Sequence, residues 1–241
     1  MIKFFRHIRK LLINENKMGK YFKYAIGEIL LVVIGILIAL QINTWNTKRL
    51  DSLKEKAILK ELHTEFLGNK IQFDSAKVIH KRSMKSLNTI IDSMPLTKEN
   101  VFTLINAFDY ALSTFTFNPS SGVTNSLIAS GNYELIKNDT LRNYLVTWND
   151  VYQDFLEEEL NHQKYRYEVM DPHSAENTDV IMLNKGDQTA IDYTLDYIVS
   201  REFRGHLTVI QERLQNIITD LEQKTVENHI NEIIRLTQTN D

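Results

Sequence analysis

Twelve consecutive apolar residues without a charge, Ile29 to Leu40, set the first constraint on what this chain can fold into. A buried core helix could supply a run of that length as readily as a membrane span, so the flanks decide. Tyr21, Phe22 and Tyr24 precede the run and Trp45 follows it, amphipathic rings of the kind that sit at headgroup depth. The helical rise of ~1.5 Å per residue separates Tyr24 from Trp45 by about 31 Å, against roughly 30 Å of bilayer hydrocarbon. Residues 24–45 are therefore expected to form a transmembrane helix, with Tyr21, Tyr24 and Trp45 at the membrane interface. The apolar run starts far from Met1, and Ala39, Leu40, Gln41, Ile42 and Asn43 offer no small-x-small cleavage site. A retained signal anchor is expected rather than a removed signal peptide.

Charge orients the span. Lys3, Arg6, Arg9, Lys10, Lys17, Lys20 and Lys23 face two acids in residues 1–45, a net of +5, which leaves −8 for residues 46–241 out of the overall −3. The basic side is expected to be cytoplasmic. Residues 1–23 read as a basic tail in which Phe4, Phe5, Ile8, Leu11 and Leu12 recur at helical spacing, suited to an anionic leaflet. Residues 46–241 are then expected outside the cytoplasm. Their negative charge would repel phosphates, so no nucleic-acid partner is expected.

With 8 Gly and 3 Pro in 241 residues, the chain lacks the turn chemistry of a many-stranded sandwich or barrel. Zero Cys excludes a disulfide scaffold and thiolate-ligated metal. Helices fit instead. From Asn46 to Ser93 a seam of Leu59, Leu62, Phe66, Phe73, Ala76, Leu87 and Ile90 predicts one long helix continuing out of the span, ended by Pro95. Thr97 reads as the N-cap of a helix to about Leu112, with Val101, Leu104, Ile105 and Phe108 inward. A short helix over Val123 to Ala129 closes at Gly131, and Asn138 or Asp139 caps a longer one carrying Leu141, Leu145, Trp148, Val151, Tyr152, Phe155 and Leu156. Asp171-Pro172 is expected to stop that helix. Residues 172–187 show no sustained period and read as a loop, with Val180 to Leu183 suited to a short strand. Ala190 to Ile198 reads as a helix. Leu207, Ile210, Leu214, Ile217 and Leu221, then Val226, Ile230, Ile233 and Leu236 in a shifted phase, predict a last helical element packed on the first long helix.

Chemistry-bearing motifs are sparse. The recognisable serine-hydrolase, penicillin-binding, zincin and phosphate-loop patterns are absent. Glu159 and His162 form an ExxH on a helix, but a di-metal bundle needs two such pairs, so Glu157, Glu158 and Glu159 are expected to be solvated. No catalytic, metal or cofactor-binding residue is assigned and no cofactor is expected. Tyr133, Tyr144, Tyr152, Tyr165 and Tyr167 with Trp148 read as core aromatics rather than a stacking groove.

Two stretches carry a family resemblance: FFRHIRKLLINENKMGKYFKYAIGEILLVVIGILIALQINTWN, Phe4 to Asn46, and FNPSSGVTNSLIASGNYELIKNDTLRNYLVTW, Phe117 to Trp148. The first resembles the N-terminal signature, and the second the central motif, of an uncharacterised bacterial membrane-protein family, domain of unknown function 6090. The resemblance implies a single-pass protein of the Gram-negative inner membrane. It carries over no site residues.

The expected architecture is mainly α: a cytoplasmic tail (1–23), one transmembrane helix (24–45) and an extracytoplasmic helical bundle with long antiparallel helices (46–241). The expected role is a membrane-anchored, non-enzymatic interaction or sensor-like module of the envelope. Its partners are the lipid bilayer and either a second copy or another envelope protein. The alternative is an envelope enzyme, hydrolase-like, with a site that no motif marks.

Within the span, Glu28, Gly35 and Ala39 share one helical stripe, the last two in small-xxx-small spacing. If this stripe pairs two spans, Gly35→Leu should weaken in-membrane self-association by forcing the backbones apart, whereas Ile36→Leu, off the stripe, should not. Glu28→Gln should also alter pairing, by roughly 0.6 to 2 kcal/mol, if the carboxylate is held between helices. Equal association of all four proteins would remove the pairing face.

Overall fold

A computed structural model describes residues 18–238, apart from the side chains of Met18 and Tyr21, so the expected tail helix lies outside the described residues. The described residues are mainly helical and contain no strand. The helices are α1 (Met18–Asp92), α2 (Lys98–Thr103), α3 (Ile105–Ala111), α4 (Gly122–Ala129), α5 (Asp139–Tyr165), α6 (Asp171–Asn177), α7 (Val180–Asn184), α8 (Gln188–Ile198), α9 (Arg201–Gln223) and α10 (Thr225–Thr237). A 3₁₀ turn covers Asn132–Leu135 and a π turn Arg166–Met170. The chain divides into two compact units, Met1–Lys56 and Ala57–Asp241.

In the first unit, α1 is long and apolar enough to cross a membrane, with a mean hydropathy of 2.6 over its most apolar 18 residues, none of them buried. A core helix of a water-soluble fold would bury such a stretch. Here Ile29, Leu30, Leu31, Val32 and the residues through Leu40 and Ile42 stand exposed around the whole helix circumference.

The second unit is built on a 4-3 repeat. On α1 the buried positions are 62, 66, 69, 73, 76, 80, 83, 87 and 90, a coiled-coil-like spacing that keeps one face toward its partners. Six are the apolar seam residues Leu62, Phe66, Phe73, Ala76, Leu87 and Ile90; the other three are Asn69, His80 and Ser83. On α5 the same spacing runs through Leu141, Leu145, Trp148, Phe155, Glu159 and His162, with Tyr152 partly buried in step. Edge-to-face rings join the stripes, Phe66 to Trp148 at 5.2 Å and Phe73 to Phe155 at 5.8 Å between centroids. The final helix also meets α1: His63 Nδ1 lies 3.1 Å from the Ile234 carbonyl, and Lys77 Nζ donates to Glu227 at 2.7 Å. The expected contact of the last element with the first long helix is present, and α9 and α10 pack on α5 as well.

Caps fall where side chains can supply them. Thr97 and Asn100 form a reciprocal capping box at α2, and Asn138 accepts from Leu141 N at 3.0 Å at the start of α5. Three local expectations are corrected. The helix after Thr97 breaks at Leu104 (φ −101°, ψ 3°), so its phase is not carried onward and Ile105 is exposed rather than inward. Asp171-Pro172 does not stop the chain's helical course: Met170 and Asp171 both keep helical backbone, and Pro172 follows directly on the π turn near the start of α6. Residues 172–187 are not a loop and Val180 to Leu183 is not a strand. α6 and α7 occupy the segment, with Asp179 accepting from Met182 N at 3.0 Å to start α7, and Gly186 turning the chain at φ 74°.

Between α9 and α10, Lys224 adopts a left-handed conformation, φ 59° and ψ 19°. That geometry allows the stripe to resume in a shifted phase at Val226, at the steric cost an L-residue pays there. Lys224→Gly should therefore raise the unfolding free energy of the solubilised protein by about 1 kcal/mol. A lower melting temperature for the variant would show that the lysine side chain does more than tolerate the turn.

Candidate functional site

The residues that stand out in the second unit are polar groups on the buried stripes. Glu159 is fully buried, contrary to the solvated face expected of Glu157 to Glu159; Glu157 is exposed and Glu158 half-buried, as a helix that buries one residue in three or four requires. One Glu159 oxygen lies 2.6 Å from His80 Nε2 and the other accepts from Phe117 N at 2.7 Å. His80 itself is 2% exposed. An isolated carboxylate in such surroundings costs several kcal/mol, and two short bonds offset that cost.

His162, one turn further along α5, is 1% exposed and neither ring nitrogen completes a hydrogen bond of good geometry. Burial first, then the neighbouring His80 and more weakly Arg166, push its pKa from the usual 6.5 down to about 4, with the Ser113 backbone pulling the other way. The ring is neutral at physiological pH.

The same polar stripe fastens the segment from Leu112 to Gly122, which has little regular structure of its own. Ser83 and Ser113 hydroxyls meet at 3.1 Å; Asn69 accepts from Ser120 N and donates to Ser120 O, both at 2.8 Å. Glu65 then takes the place of a cap at the start of α4, accepting from Val123 N at 2.7 Å and from the Thr124 hydroxyl at 2.7 Å. Every one of these anchors comes from α1.

Beyond α5 lies a second, partly exposed group. Its chain passes through the π turn, a distortion often found beside functional sites. His173 Nε2 is 2.9 Å from Glu202, its ring 5.1 Å from that of His206, and His206 Nδ1 is 2.9 Å from the Tyr165 hydroxyl. Burial, then His173, lower the His206 pKa against an upward pull from Glu202. Arg166 pairs with Asp171 and donates Nε–H to the Leu112 carbonyl at 3.2 Å. Beside it, residues of α2, α3, α6, α7, α8, the start of α9 and the π turn line a mainly apolar, partly open cavity of about 560 Å³.

Chemically, the buried pair is fitted to hold helices in register. General acid or base work requires a proton path to a substrate, and His80 and Glu159 are sealed from solvent. Among the described residues no group of three or more His, Asp or Glu side chains is arranged to hold a metal ion. The aromatic set is divided: Tyr133, Tyr144, Tyr152 and Tyr165 pack against the core as expected, whereas Tyr167 is exposed and bonds Thr114 at 2.9 Å. In the first unit Tyr24 and Trp45 are exposed, Glu28 is half-buried, Gly35 and Ala39 are exposed, and the Tyr21 side chain lies outside the described residues. A Cβ added at Gly35 would meet nothing within 4 Å.

Helical seams stitched by buried polar pairs, preceded by an uncovered apolar helix, define the class of molecule. The chain belongs to the Family of unknown function (DUF6090), whose model matches residues 28–192. That match contains the whole of the Phe117 to Trp148 block and, of the first block, the part from Glu28 onward. No curated protein and no solved structure matches the chain.

His162 generates a pH prediction. The unfolded ring takes up a proton near pH 6.5 and the folded ring near 4, so the unfolded state binds more protons between those values. Stability should be lost as pH falls through that window, by up to about 3 kcal/mol. His162→Leu, close in volume and without a titrating group, should flatten the profile between pH 7 and 4 by that amount. An unchanged slope would mean that the acid sensitivity resides elsewhere.

Proposed function

We propose that the protein is a single-pass, membrane-anchored module of the bacterial envelope that acts through binding or sensing rather than catalysis. Residues 1–23 lie in the cytoplasm, 24–45 cross the inner membrane and 46–241 form a periplasmic helical bundle. The carrying observation is the stretch of α1 that is apolar on all sides and buried nowhere in the chain. Water is a poor solvent for it and lipid a good one. The basic excess before Ile29 supports the orientation. Contacts from His63 to Thr237 and from Lys77 to Glu227 support first and last helices that run in opposite senses, while the ring contacts of α1 with α5 climb in the same sense. The non-enzymatic reading is favoured by the enclosure of the strongest acid/base pair.

The protein should resist carbonate extraction and retain residues near Met1. A reporter active only outside the cytoplasm should work when fused after Asp241. Activity of a cytoplasmic reporter alone at that fusion would reverse the topology; N-terminal sequencing that starts after Leu40 would replace the anchor with a cleaved signal.

A further inference from the structure

We propose that the cavity of about 560 Å³ in the second unit is a binding site for a neutral, lipid-like small molecule: an apolar body with one hydrogen-bonding oxygen, a hydroxyl or carbonyl. The volume lies in the range of small-molecule sites, roughly 300 to 1,000 Å³. Its walls include Val101, Phe108, Met170, Ile191 and Phe203, drawn from both sides of the sequence gap between α3 and α6. A space many times the size of one water, with few polar partners for it, is filled poorly by solvent and well by hydrocarbon.

Two polar groups on the lining have a buried atom without a hydrogen bond; Arg166 is held by its ion pair with Asp171, so the Thr194 hydroxyl gives the site direction. Thr194 lines the cavity, is 7% exposed, and its hydroxyl has no hydrogen-bond partner. Native structures rarely leave a buried hydroxyl unsatisfied, and an oxygen on a bound molecule would complete it.

Charge complementarity sets the remaining property. Arg166 reaches the cavity, but its guanidinium is already neutralised by Asp171 and engaged with the Leu112 carbonyl. Asp109 is on the same lining. No net positive charge is left to draw a carboxylate or phosphate head, and Asp109, the carboxylate that remains, is exposed to water that screens its pull on an ammonium. The apolar edge continues outward: Phe102 and Ile105 line the cavity and are nevertheless 57% and 56% exposed. A ligand's apolar body would cover both. All of these residues lie between 101 and 203, so the site stands or falls independently of where α1 is embedded.

The test uses the full chain in lipid nanodiscs carrying the neutral dye Nile red, with empty nanodiscs as background. Competition by 1-decanol, decanoate and decyltrimethylammonium compares one chain length with three heads. The expected result is saturable displacement by decanol, with both charged analogues at least ten-fold weaker. Thr194→Val keeps the shape and removes the hydroxyl; it should weaken decanol about five- to ten-fold and leave decane unchanged. Ile191→Trp should fill the cavity and abolish displaceable dye; if it does not fold, the Thr194→Val comparison still decides. Equal competition by all three heads, or no dye above empty nanodiscs, overturns the proposal. Association of two chains that Phe102→Asp abolishes, without dye displacement, overturns it in favour of a protein interface.

Discussion

A carboxylate with no access to water governs the second unit. Glu159 comes from α5, His80 from α1 and the Phe117 N–H from the segment between them, and all three meet at short distance. Removing one partner of such a group leaves a buried charge or a buried donor unsatisfied, a cost of about 3 to 5 kcal/mol for the charge alone. Apolar seams tolerate slippage, because a helix shifted by a heptad presents another leucine or phenylalanine at each place. A carboxylate does not tolerate it. The pair therefore selects one register for α1 against α5, the use for which a buried polar position in a coiled-coil seam is best attested.

The other polar seam residues extend that control to backbone that makes no helix. Between Leu112 and Gly122 the chain must satisfy its N–H and C=O groups without a ladder of its own. Asn69 satisfies both polar groups of Ser120, Glu159 takes the N–H of Phe117, and Glu65 takes that of Val123. Phe117 is then held in the core against Phe73, with ring centroids 5.3 Å apart. Here the buried apolar contact and the polar bonds are one arrangement: the ring can be buried because the backbone beside it is satisfied.

Much of the helical layout was legible because it rests on local rules. Pro95, the Thr97 cap, the Asn138 cap and the apolar 3-4 steps of α9 depend on neighbours a few residues away. The polar half of the seam is hidden from an apolar pattern, although its spacing is the same. Asn69, His80 and Ser83 fill the gaps that the apolar residues leave in the 4-3 repeat of α1, and Glu159 and His162 continue the stripe of α5. Composition suggested a solvated acidic run, whereas phase placed one of its members inside. At Pro172 the rule that the residue before a proline avoids helical backbone does not hold, since Asp171 is helical directly after the π turn. The cavity has no period to reveal it, since its lining is assembled from α2, α3, α6, α7, α8, the start of α9 and the π turn.

Arg166 ties the two polar regions of the unit together. Its charge helps to hold down the protonation of His162, its Nε–H closes on the Leu112 carbonyl, and its side chain also lines the cavity. Asp171, its ion-pair partner, begins α6, directly after the π turn. One side chain beside the π turn thus takes part both in the electrostatics around His162 and in a wall of the cavity.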